Sequence, residues 1–138
     1  MPNVIATINL QIPGGPKLDA SNTLPVEAYD RVEVEVSPGD TNKVIELQPG
    51  RASQLRALVI KSSIYDDTGK LTYAVSDGTS DSAEVNLDGP QVFLGPGAIS
   101  LFNVDPPVAL KVSNALIAGA GTNNKARLEI LIGRDATP

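Results

Sequence analysis

Four segments of this chain alternate apolar and polar residues with a period of two. In residues 3–12, Val4, Ala6, Ile8, Leu10 and Ile12 share one face, and Thr7, Asn9 and Gln11 the other. Residues 31–36 read RVEVEV, residues 70–76 put Leu71, Tyr73 and Val75 on one side, and residues 126–132 do the same with Leu128, Ile130 and Ile132. A period of two is that of a strand with one buried face, whereas a helix would scatter these residues around its axis. Further short runs at 43–48, 58–65, 83–87 and 108–113 read as strands. In the run at 58–65 the β-branched residues outweigh a helical rival, the spacing of Leu55, Leu58 and Val59.

Turn chemistry separates these runs: Pro13-Gly14-Gly15-Pro16, Ser37-Pro38-Gly39-Asp40, Asp66-Asp67-Thr68-Gly69, Asp88-Gly89-Pro90 and Asp105-Pro106-Pro107. About nine or ten short antiparallel strands with such punctuation predict an all-β fold, a β-sandwich and in particular a jelly roll. No fixed internal repeat points to a propeller or β-helix. Residues 17–29 read as an irregular loop with room for a short strand, within a connection over residues 13–30 long enough to be functional. The reading is one domain over residues 1–132, followed by a polar tail, GRDATP, over 133–138.

The most apolar stretch, VFLGPGAISLFNV at residues 92–104, holds both phenylalanines. It reads as two buried strands joined at Gly95-Pro96-Gly97, since Pro and two Gly would stop a helix. Val92, Leu94, Ile99 and Leu101 would then alternate into the core. Phe93 and Phe102 would fall on opposite faces of their strands, one in the core and the other under a partner subunit.

Composition narrows the chemistry. Cys and His are both absent, which removes disulfides, thiolate nucleophiles, the usual general base and the commonest metal ligand. The net charge is −5 and no run of Lys or Arg occurs, which argues against nucleic acid or an anionic membrane as partner. No signal peptide and no membrane-spanning run is read at the sequence level.

Carboxylates are the plentiful reactive groups. Asp77 and Asp81 around Gly78, like Asp66-Asp67, resemble the start of a calcium loop but lack the remaining oxygen ligands, so both read as turns and no metal is expected. A glycosidase would need two carboxylates across a cleft, of which Glu33 and Glu46 are one conceivable pair. Glu33, however, alternates with valines and reads as a solvent face. Tyr29, Tyr65 and Tyr73 read as rim residues with wet hydroxyls. Lys125, Arg127 and Arg134 offer a small basic patch for an acidic partner. Arg134 and Asp135 in the tail are expected to order on docking through charge-assisted hydrogen bonds. Neither Gly14-Gly15 nor the glycines around Pro96 form a phosphate cradle, and the serines have no base in a recognisable motif. The chain therefore reads as a non-enzyme without a cofactor.

Four stretches, VIELQPG at 44–50, LVIKSSIY at 58–65, GPQVFLGPGAISLF at 89–102 and ILIGRDATP at 130–138, give the chain a resemblance to the decoration (cement) proteins and related accessory virion proteins of tailed bacteriophages. The likeness lies in valine-rich short strands, Pro-Gly turns, the lack of Cys and His, and an acidic balance. It implies a jelly-roll unit made in the host cytoplasm and bound to the outer capsid surface. There it would bridge major capsid protein subunits, as a homo-oligomer with a trimer favoured. It supplies no residue-by-residue functional motif. The rival reading is a carbohydrate- or cell-surface-binding β-sandwich, such as a tail-fibre domain.

Overall fold

The structure is a computed structural model that describes residues 3–47, 54–117 and 124–135. Among these residues ten strands run in chain order: β1 Asn3–Gln11, β2 Lys17–Pro25, β3 Ala28–Val36, β4 Lys43–Glu46, β5 Leu55–Ser62, β6 Leu71–Ser76, β7 Val85–Asn86, β8 Gln91–Leu94, β9 Ala109–Asn114 and β10 Ala126–Arg134. Between β8 and β9 lie one helical turn, α1 Pro96–Ile99, and a 3-10 turn, Ser100–Phe102.

The body consists of two four-stranded antiparallel sheets, ordered β3-β10-β5-β8 and β4-β9-β6-β7. The alternation expected for β3 and β10 holds. Val36, Leu128, Ile130 and Ile132 face inward from the first sheet, where they meet Ile45, Tyr73, Val75, Leu110 and Val112 from the second. Side chains from the inner faces of both sheets make one apolar core, which is the packing of a sandwich. β6 is buried along its whole length, so Tyr73 is not at a rim. Its ring is in the core and its hydroxyl donates to Gln91 Oε1 at 2.9 Å. Burial pushes the phenol pKa well above its ordinary value, with the Asp88 charge adding to the shift.

One buried polar side chain ties the far end of the body together. The Asn114 amide donates to Val36 O at 3.0 Å and Asn124 O at 2.9 Å, and its carbonyl accepts from Leu116 N at 3.0 Å. All its hydrogen-bonding groups are used, so its burial carries no desolvation penalty for an unpaired group.

Three further expectations change. Residues 17–25 are a full strand, not an irregular loop with at most a short one: β2 pairs with β1 over nine residues, from Asn3↔Pro25 to Gln11↔Lys17. The turn between them uses Gly14 at φ 75, and the Gly15 amide donates to Ile12 O at 2.7 Å. The reason lies in the spacing: Leu18, Ala20 and Leu24 continue the period of two, on the same face as their cross-strand partners Leu10, Ile8 and Val4.

The second change concerns residues 92–104. The first half is strand β8, but the chain then turns at Gly95, whose φ is 89, and Pro96 opens a helical turn. Proline at the first helical position stops nothing, because the amide it lacks has no intrahelical partner there. Ile99 alone of the four expected inward residues is fully buried; Val92 is 45% and Leu101 81% exposed. The two phenylalanines are not divided between inside and outside. Their rings touch at a centroid distance of 4.8 Å, and both pack against the core, Phe102 also edge-on to Tyr73 at 6.3 Å.

The third change is at the end of the chain. β10 runs through Gly133 to Arg134, beyond the expected boundary at 132. The Arg134 carbonyl accepts from Glu27 N at 2.9 Å, the Asp135 amide donates to Gln54 O at 2.7 Å, and Asp135 pairs with Arg56 at 3.3 Å. These residues belong to the fold rather than to a free tail. Residues 136–138 lie outside the described residues.

Candidate interaction surface

The β1–β2 pair stands apart from the two sheets. Nine residues of antiparallel strand make a ribbon about 30 Å long, and its strands touch each other far more than they touch the body. One face carries Val4, Ala6, Ile8 and Leu10 opposite Leu24, Asn22, Ala20 and Leu18; the other is mainly Thr, Asn, Ser and Gln. The apolar face is partly covered at its base and bare near the tip, where Leu10 is 57% and Leu18 61% exposed. The half-buried strand expected over residues 3–12 is thus a strand, but its apolar face is not part of the core. The signal that could have shown this is charge: across the ribbon only Lys17 and Asp19 are ionised, and they pair with each other at 3.7 Å.

The base of the ribbon sits on the outer face of the β3-β10-β5-β8 sheet. A Cβ placed on Gly133 would lie 2.9 Å from Val26 Cγ1 and 3.5 Å from Val4 Cγ2. Glycine at this position therefore lets the ribbon approach the sheet closely, and no other residue leaves that room.

That outer face has two chemically distinct ends. Next to the ribbon, one cross-strand row reads Arg31, Leu131, Val59, Val92 and the adjacent row Tyr29, Gly133, Ala57, Leu94. Tyr29, 61% exposed, lies beside Gly133 on β3. A cleft bounded by Asn3, Val4, Ile5, Val26, Tyr29 and Leu131 separates ribbon and sheet. From Arg31 in that row toward the opposite end runs a ladder of charge. Arg31 bridges Glu33 at 2.8 Å and Glu129 at 3.1 Å, and Glu35 lies 3.9 Å from both Lys125 and Arg127. The Arg31 pKa is raised, first by its hydrogen bond to Glu129 and then by the Glu33 charge.

The candidate residues fall into separate places. Arg127 and Arg134 are seven residues apart on β10, roughly 23 Å of strand, so Lys125, Arg127 and Arg134 do not form one basic patch. Glu33 points from the outer face of its sheet, whereas Glu46, next to inward Ile45, points from the outer side of the other sheet. The sandwich lies between them, and they share no cleft. Tyr65 is half exposed, and its hydroxyl accepts from Ser62 N at 3.2 Å.

The aspartates in turns bond their own backbone. Asp77 accepts from the Thr79 amide at 2.8 Å and from the Ser80 amide. Asp66 accepts from the Thr68 hydroxyl at 2.7 Å and the Lys70 amide at 3.1 Å. These bonds hold both carboxyls below the ordinary aspartate pKa, led by Ser80 for Asp77 and by Thr68 for Asp66. Asp81 is lowered too, by Ser76 and then by Lys111, whose ammonium is 3.0 Å away. Among the described residues no group of three Asp, Glu, Cys or His could hold a metal ion. No helix among them is long and apolar enough to cross a membrane.

No protein-family model, curated protein or solved structure matches the chain.

Proposed function

We propose that this chain is a non-enzymatic structural subunit of a tailed-phage virion, which binds the outer capsid surface and bridges neighbouring major capsid subunits. The observation that carries the docking role is the ribbon. A two-stranded ribbon alone is marginal in water, and this one presents an apolar stripe and almost no charge, the features of a segment that functions against a partner. The virion as its setting rests on the resemblance of the four stretches at 44–50, 58–65, 89–102 and 130–138.

The architecture we propose within the sandwich is a jelly roll. Counted through the eight body strands, one sheet takes the first, eighth, third and sixth, and the other the second, seventh, fourth and fifth. This order supports two interlocked Greek keys. Such a body is a rigid platform, and the charge ladder at one end of its outer face supplies polar contacts for orienting a neighbour.

The test is sedimentation of the purified protein with intact particles. Co-sedimentation at a fixed ratio to the major capsid protein, with a raised temperature of shell disruption, is expected. Particles that contain none of this protein and bind none when it is added would overturn the proposal. Retention on immobilised glycans without particle binding would select the carbohydrate-module reading.

A further inference from the structure

We infer that the apolar stripe of the β1–β2 ribbon docks on the outer sheet face of a second copy of this chain, over the row Leu131, Val59 and Val92. Two surfaces of one chain lack cover. The first is the distal stripe of the ribbon, around Leu10 and Leu18. The second is the apolar end of the outer sheet face, where Leu131 and Val59 are half-buried and Val92 on edge strand β8 is 45% exposed. Over β10, β5 and β8 the row is apolar, its one charge, Arg31 on β3, is held by Glu33 and Glu129, and the widths match, since two strands less than about 5 Å apart fit across these neighbouring strands.

The contact between them already exists in one place. The base of the same stripe, at Val4, together with Val26, lies against Gly133 of the same outer face. A ribbon arriving from a second copy would extend that seam along the sheet toward Val59 and Val92, so the new interface is continuous with a packed one.

Charge selects the partner as well. The ribbon is neutral, with Lys17 and Asp19 paired, so the whole net charge of −5 lies on the rest of the chain. Two bodies of like charge repel when they approach face to face. A neutral ribbon that reaches about 30 Å joins them without bringing the bodies' charges together. Exchange of identical ribbons also closes a ring, so no apolar stripe is left over at the end of the assembly.

The chain has no cysteine, which makes the test direct. Full-length Leu18→Cys and Val92→Cys variants are mixed and treated with a short bis-maleimide. A covalent dimer that needs both variants is expected. No dimer in the mixture, or as much from Leu18→Cys alone, would overturn the inference, the latter by showing ribbon against ribbon.

Light scattering on the cysteine-free chain should give a mass above that of one chain. Leu18→Asp should weaken the association by about ten- to a hundredfold, the loss of one buried leucine, and leave the far-ultraviolet circular dichroism of the body unchanged. Val92→Asp should weaken it similarly. A wild-type chain that remains monomeric at all concentrations would refute the docking, as would a Val92→Asp variant that associates normally. These measurements use the purified chain alone, so their outcome is independent of whether the protein sediments with particles.

Discussion

Strands β1 and β10 carry nearly the same signal and meet opposite fates. β1 places Val4, Ala6, Ile8 and Leu10 on one face; β10 places Ala126, Leu128, Ile130 and Ile132 on one face. The β10 residues are fully buried between β3 and β5, and the β1 residues lie on a ribbon with a single partner strand. Alternation therefore reports that a face will be covered. It does not report by what. In β10 the cover is the second sheet of the same chain, and in β1 we assign it to another molecule. The outward residues add a distinction: in its first half β10 alternates its apolar set with Arg127 and Glu129, the usual edge of a core against water, before Leu131 and Gly133 face the ribbon, and β1 alternates mainly with uncharged Thr, Asn and Gln.

The sharpest way to break this comparison is to truncate equivalent residues in the two strands. Ile130→Ala should cost about 2–5 kcal/mol, because it opens a cavity in a core that cannot fully collapse. Leu10→Ala, measured by urea denaturation at concentrations too low for self-association, should lie within about 0.5 kcal/mol of wild type. Equal losses would mean that the ribbon is part of the folding unit.

Next in size is the end of β10. A chain that stops after Gly133 loses the hydrogen bonds from Glu27 to Arg134 O and from Asp135 to Gln54 O, together with the Arg56–Asp135 pair. At about 1 kcal/mol for each net hydrogen bond, the melting temperature should fall by several degrees. An unchanged melting curve would return these residues to the status of a tail.

Gly133→Ala probes the seam between the two regions. The added methyl would meet Val26 Cγ1 at 2.9 Å, inside a contact that is already buried. Overpacking of this kind costs about 1–3 kcal/mol. The loss should be partly recovered in the double variant with Val26→Ala, and failure of that recovery would place the strain elsewhere.

The smallest effect is acidic and belongs to the body alone. Asp66, Asp77 and Asp81 have folded-state pKa values below their ordinary 3.8. Their contribution is complete above that value and is lost as pH falls through the depressed ones, because the unfolded chain then binds protons more readily than the folded one. The melting temperature should drop below about pH 4 with a slope that Asp66→Asn and Asp77→Asn each reduce. The ribbon variants should leave that slope unchanged.

Much of the fold is legible in residue order. The alternation in β3, β6 and β10 and the turns at Pro38-Gly39 and Asp66–Gly69 need only neighbours a few positions away, so composition and spacing determine them. The same holds for the class, an antiparallel all-β sandwich. Three features escaped because their causes are distant in sequence. Whether Pro96 ends a strand or opens a helical turn depends on Gly95, whose amide donates to Arg56 O at 2.7 Å across the sheet, and on Ile99 finding a gap in the core. Whether Gly133 starts a tail or belongs to a strand depends on Val4 and Val26, more than a hundred residues earlier, which need the space a side chain would fill. The destination of β1 could not be read from its pattern at all. A strand's own residues fix which of its faces is apolar, but the topology of all the other strands decides whether anything in the same molecule is left to cover it. Here both sheets are filled by the eight strands that follow the ribbon, and its apolar face is left at the surface.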